Sequence, residues 1–160
     1  MNYPDLKAYP IGQKPDQKII KVVGWINKTD PFPKGSVPKP ILDKLWEFCK
    51  QPMGHGLKKD ACQLCTLGSD SLVEYNGEQQ AFDSWRLLLV ANDTTLYLSP
   101  HVIFHYIVKH HYLPPQEFLD VALEMPSPAS DPQAYSDTLE QYFMYLEDIE
   151  KLYIEIASNL

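Results

Sequence analysis

The sequence predicts an α+β domain made of a small antiparallel sheet, a unit of CxxC, hairpin and helix, and a C-terminal helix. Three observations lead there. Short β-branched and leucine-rich runs alternate with turn residues, Cys62-Gln63-Leu64-Cys65 precedes a histidine-rich segment over 99–111, and the last stretch carries apolar residues at spacings of three and four. With 160 residues, 44% of them apolar, the chain has enough material for one ordinary core.

The first 40 residues alternate proline and lysine around Ile19-Ile20-Lys21-Val22-Val23-Gly24-Trp25-Ile26, whose composition and length suit a strand. Turn residues follow in Asp30-Pro31-Phe32-Pro33-Lys34-Gly35. Pro40 suits the first position of a helix in which Ile41, Leu42, Leu45, Phe48 and Cys49 recur at helical spacing, closed by Gln51-Pro52-Met53-Gly54. After the CxxC, Thr66 to Ser71 reads as a turn, and Leu72 to Tyr75 with Asn76-Gly77 reads as a strand turning into a tight hairpin. Trp85 to Val90 and Thr95 to Leu98 form a second pair around Ala91-Asn92-Asp93-Thr94. Ser99 as N-cap and Pro100 at the next position predict a helix running to His110 or His111. Tyr112-Leu113-Pro114-Pro115 breaks it, and Gln116 to Leu123 makes a further short helix.

Pro126 and Pro128 mark a connector over 125–131, which divides the chain into a domain over 1–124 and a C-terminal amphipathic helix over 132–160 with Pro132 at its first position. Asp131 is placed to cap that helix. Leu139, Tyr142, Leu146, Ile149, Tyr153, Ile156 and Leu160 form its stripe, flanked by Glu140, Glu147, Asp148, Glu150 and Glu155. Such a stripe docks either on its own domain or on a partner helix, which includes a second copy of the chain.

Two thiols at CxxC spacing place two sulfurs on one side of a metal ion, and a tetrahedral zinc site then needs two further donors. The histidine segment supplies them. His101 and His105 sit on one face of a regular helix, whereas His105 and His110 have the x4 spacing of paired ligands but a wide angular offset. The second pair is preferred because its strained spacing falls where Tyr112 and Pro114 end the helix. Cys62, Cys65, His105 and His110 are thus the expected zinc ligands of a zinc-finger-like unit, with His101, Cys49 and His55 as alternative donors; were His101 and His105 the pair, His110 and His111 would be exposed helix-end imidazoles. Four protein donors would make the ion structural, with a folding contribution on the order of 10 kcal/mol. A catalytic ion would keep a position for water beside a carboxylate base, for which Glu74, Glu78 and Glu117 are the candidates. The chain has neither HExxH nor the HxE…PCxxC order of zinc deaminases. A thioredoxin-like role for the CxxC is disfavoured, since Lys58-Lys59-Asp60 precedes it in place of a buried strand.

Charge narrows the partners. Residues 1–60 hold 11 of the 14 basic residues and 6 of the 21 acidic ones, so the net −7 combines a basic start with an acidic remainder. The lysines are scattered and Arg86 is the single arginine, which argues against nucleic acid, as does a histidine segment whose one cation is Lys109. No apolar run is long enough for a membrane span, Met1 to Asp5 lacks the start of a secretory signal, and an odd count of three cysteines suits reduced thiols; a cytoplasmic location is expected.

Tyr97-Leu98-Ser99-Pro100, Ile103-Phe104-His105-Tyr106-Ile107 and His110-His111-Tyr112-Leu113-Pro114-Pro115-Gln116-Glu117-Phe118 resemble a pattern in an uncharacterised family of small bacterial proteins. In that pattern a CxxC precedes a short hairpin, an Ala/Ser-Pro turn, a helix ending in His-Tyr-Val/Ile-x-x-His, and Tyr-x-Pro-Pro-x-x-Phe. Gly24-Trp25-Ile26 and the turn after it resemble the family's start, and the likeness spans residues 20–124. By motif position it implies Cys62, Cys65, His105 and His110 as donors, while His101 and His111 stand where the pattern varies. A longer, more polar interval after the CxxC is this chain's departure. Together these readings predict a non-enzymatic zinc protein that works as an interaction module, with a zinc-dependent hydrolase as the alternative.

Overall fold

The computed structural model describes residues 5–51, 62, 64, 65, 72–81 and 86–158. His55, the Thr66 to Ser71 turn, Trp85 and Leu160 lie outside the described residues. The chain is α+β, as expected. Its main sheet contains β1 (Ala8–Ile11), β2 (Lys18–Val22), β5 (Arg86–Val90) and β6 (Thr95–Pro100) in the order β1-β2-β6-β5. A separate hairpin joins β3 (Leu72–Tyr75) to β4 (Glu78–Ala81).

The sheet is mixed rather than wholly antiparallel. β2 runs antiparallel to β1 but parallel to β6, with Ile19 opposite Thr95 and Val22 opposite Leu98. A strand's residue pattern shows which face is buried and not which way its neighbour runs, so this pairing was hidden in the sequence. β1 was missed for a related reason. Pro10 demotes Ala8-Tyr9-Pro10-Ile11 as a strand, and it is tolerated because β1 is an edge. β2 ends earlier than its apolar run suggests. Gly24, at φ 93°, turns the chain out of the ladder, and a Cβ there would lie 2.8 Å from Ile103 Cδ1.

Five α-helices are described: α1 (Lys39–Lys50), α2 (Ile103–His110), α3 (Gln116–Glu124), α4 (Pro132–Glu140) and α5 (Leu146–Ser158). α2 starts later than Ser99 and Pro100 predict. Both residues continue β6, paired with Leu87 and Arg86, because the β5–β6 ladder satisfies backbone groups that a cap would otherwise serve. The hairpin expected at Asn76-Gly77 forms, with both residues at positive φ. It lies on α1: Asp43 accepts hydrogen bonds from Tyr75 Oη at 2.6 Å and Asn76 Nδ2 at 3.1 Å, and Trp46 Nε1 donates to Glu78 at 3.2 Å. Phe104 of α2 completes the joint. Its ring centre is 5.0 Å from that of Trp46 and 5.2 Å from that of Tyr75, and its burial contributes about 2–3 kcal/mol.

The single helix foreseen over 132–160 is two helices separated by a 3-10 turn, Phe143–Tyr145. Asp131 does cap the first, accepting from the Ala134 N–H at 3.1 Å. The break turns two tyrosines toward the body: Tyr142 Oη donates to the Asn92 carbonyl at 2.8 Å and Tyr145 Oη to that of Asp16 at 2.9 Å. Leu139, Tyr142, Ile149, Tyr153 and Ile156 are buried, so most of the stripe docks on its own chain. Beneath it Arg86, 2% exposed, pairs with Glu150 and stacks 4.2 Å from the Tyr153 ring centre. Phe143, Met144 and Leu146 stay exposed, Met144 to 80%. Among the described residues no helix is long and apolar enough to cross a membrane.

Candidate metal centre

α2 buries Ile103, Phe104 and Ile107 on one side, which sets the rotation of the helix and leaves His105 on the flank next to the CxxC segment. A regular α-helix places residues five apart about 140° from each other, which would point His110 away from His105. The end of α2 is wider than that. The N–H groups of His111 and Tyr112 both reach back to the Tyr106 carbonyl, past the partner that a regular turn would use. A wider turn rotates less per residue and brings His110 toward His105, with ring centres 5.2 Å apart. His111 then takes a left-handed conformation, φ 58°, as the C-terminal cap.

The exit of the helix is tied down beyond His111. Gly35 N–H donates to the His111 carbonyl at 2.9 Å and Leu113 N–H to that of Pro33 at 2.9 Å, forming a short bridge beside Lys34 and Tyr112. Tyr112 is fully buried against Phe32, and its hydroxyl donates to Asp5 Oδ2 at 2.6 Å. These anchors are supporting residues that the sequence showed only as a helix breaker. The proline turn at 31–35 and the Tyr-x-Pro-Pro segment were both visible, but no spacing rule joins them.

Cys62, Cys65, His105 and His110 bring one donor atom each to within 4.8 Å of one another. Cys62 Sγ lies 3.3 Å from His110 Nε2, and Cys65 Sγ lies 3.3 Å from His105 Nε2 and 3.4 Å from His110 Nε2. Sulfur at ~2.3 Å and nitrogen at ~2.0 Å from a tetrahedral ion are about 3.5 Å apart, so the observed spacings fit one shared cation with little movement. Leu64 N–H donates to Cys62 Sγ at 3.3 Å, the kind of bond that steadies a thiolate within the short turn. His105 Nδ1 has no hydrogen-bond partner among the described residues.

The electrostatics suit a cation as well. Burial lowers the His105 imidazole to about 4, with His110 and Lys109 adding to the effect, so the ring is neutral with a lone pair to give. Burial also lowers His110, helped by His111. The Cys62 thiol is pushed up to about 11, chiefly by burial and against the Leu64 N–H. A divalent ion supplies the positive charge that allows such a thiol to ionise.

The alternative donors lie elsewhere. His101 is buried, with Nε2 2.8 Å from the Cys49 carbonyl oxygen, and Cys49 is sealed in the core, its thiol raised by burial. Of the carboxylates considered as bases, Glu117 accepts from Tyr97 Oη at 2.7 Å and Lys21 at 3.3 Å, while Glu78 pairs with Lys50 at 2.8 Å as well as with Trp46. Glu74 is exposed on β3. The arrangement is a Cys2His2 group able to hold a metal ion. Comparison with curated proteins finds no match, and neither does comparison with solved structures. A family described as a domain of unknown function, DUF7919, matches residues 1–123, a span that contains all four donors, and the chain belongs to that family.

Proposed function

We propose that this protein holds one structural zinc ion in Cys62, Cys65, His105 and His110 and acts as a non-enzymatic interaction module. The observation that carries the reading is the convergence of four soft and borderline donors within 4.8 Å, a set that favours zinc over magnesium or calcium. Four protein donors fill a tetrahedral shell and leave no position for a reacting water. Glu78 and Glu117 are held by other partners, which counts against the zinc-dependent hydrolase. Three unpaired thiols fit a reducing cytoplasm.

The ion would staple the CxxC segment to α2, next to the joint of α1, α2 and the β3–β4 hairpin. For the interaction role, the exposed Phe143, Met144 and Leu146 beside Glu140, Glu147 and Asp148 offer an apolar knuckle with an acidic rim. A partner protein or a second copy would meet the chain there.

Elemental analysis with X-ray absorption at the zinc edge tests the metal. About one zinc per chain with two sulfur and two nitrogen neighbours is expected. Three protein donors and a water would favour the hydrolase instead. Light-scattering mass of the parent and of Met144→Glu tests self-association, and identical monomer masses would leave only a partner of another kind.

A further inference from the structure

We infer that Cys62 and Cys65 are an oxidation site: hydroperoxides convert this thiolate pair to a disulfide and thereby eject the ion. The inference rests on the metal reading above. Of the chain's three cysteines, these two are half-buried and share one cluster, whereas Cys49 is closed off in the core. An oxidant therefore reaches two thiols that are already neighbours in CxxC spacing and cannot reach the third.

The chemistry closes on these residues with hydrogen peroxide as the oxidant. One thiolate attacks a peroxide oxygen, the O–O bond breaks, a sulfenic acid forms and hydroxide leaves. The second thiolate attacks the sulfenic sulfur, the S–S bond forms and a second hydroxide leaves. Two sulfurs are oxidised by one electron each and the peroxide is reduced by two. A disulfide has no anionic sulfur to give, so the ion keeps only the two imidazoles of His105 and His110.

The consequence is local. Ile103, Phe104 and Ile107 remain packed, and Tyr112 still holds the helix exit through Asp5, so α2 stays in place while the metal link between the CxxC pair and His105 and His110 is lost. A thiol reductant restores both donors.

The test uses the full-length zinc-loaded chain with stoichiometric hydrogen peroxide and a chromogenic zinc chelator, followed by alkylation and peptide mapping. Released zinc should rise in step with a Cys62–Cys65 disulfide, from below about 10% to above about 80% of total zinc, with Cys49 still alkylated as a thiol and helical circular dichroism retained. Dithiothreitol with added zinc should restore the starting state, and Cys49→Ala should behave as the parent. Zinc retained with both thiols reduced would overturn this inference and leave the metal reading intact, as would oxidation to sulfinic acid without a disulfide. A purified parent that holds no metal and takes up none would overturn the metal reading itself.

Discussion

Tyr112 Oη donates to Asp5 Oδ2 across 2.6 Å, joining the exit of the histidine-bearing helix to the beginning of the described chain. Burial raises the Asp5 carboxyl, while Tyr112 and the Gly24 N–H hold it down. Tyr112→Phe should cost on the order of 1–3 kcal/mol in chemical denaturation, because a half-buried carboxyl loses one of the two partners it has among the described residues. Since the same residue fixes the wide turn at His110, the variant should also weaken zinc affinity, read by chelator competition. Unchanged affinity would mean that the turn holds without its anchor.

In the proposed zinc site, removing any one ligand should remove the metal. Cys62→Ala and His105→Ala are each expected to fall from about one zinc per chain to below about 0.1 and to melt at lower temperature. His101→Ala separates ligands from neighbours: it should keep its zinc, because His101 reaches the Cys49 carbonyl rather than the cluster. Loss of zinc in that variant at full stability would show the ligand set to be wrong.

Acid should destabilise the metal-free protein through His105. The unfolded chain takes up a proton near the ordinary value of 6.5, whereas the folded ring does so only at about 4, so the unfolded state binds the extra proton across that window. The stability present above pH 6.5 falls as the pH drops toward 4. Thermal melts of the chelator-treated parent and of His105→Gln check it: the variant's curve should be flatter over that range, and parallel curves would refute the assignment.

Arg86 and Glu150 should respond unequally to mutation. Glu150→Ala removes a carboxylate partner from a guanidinium that is 2% exposed, at a cost on the order of 3 kcal/mol. Arg86→Met leaves an apolar chain of similar length beneath Tyr153, while Glu150 sits at the rim within reach of water. Urea denaturation should find Glu150→Ala the less stable of the two. The reverse order would place the weight on the cation–ring contact instead.

Much of the site was legible because its chemistry is local. The CxxC spacing names two candidate donors by itself, and the breaker at Tyr112-Leu113-Pro114 marks where an irregular turn could bring His110 round to His105. What sequence could not supply was the means. The wide turn depends on backbone bonds from 33–35 to 111–113, and nothing in either segment names the other. The fold divides in the same way. Asn76-Gly77 specifies its hairpin through positive φ, a one-body preference, whereas the β2–β6 pairing and the split between α4 and α5 arise from contacts with distant strands and loops. Ser99 and Pro100 carry strong capping preferences and were still overruled by the ladder to β5.

The parallel join between β2 and β6 bears on the order in which the protein can be made. Ile19 finds its partner at Thr95, so during synthesis the β1–β2 hairpin is completed long before the strand that must cover its open edge has left the ribosome. The candidate metal donors straddle β6, two before it and two after it. The sheet lacks β6 until residue 100 is made, and the four candidate donors cannot meet on a nascent chain that stops short of residue 110. The apolar run from Ile19 to Ile26 must therefore wait uncovered, and it is there that a holding chaperone would be most useful and a stalled chain most prone to aggregate.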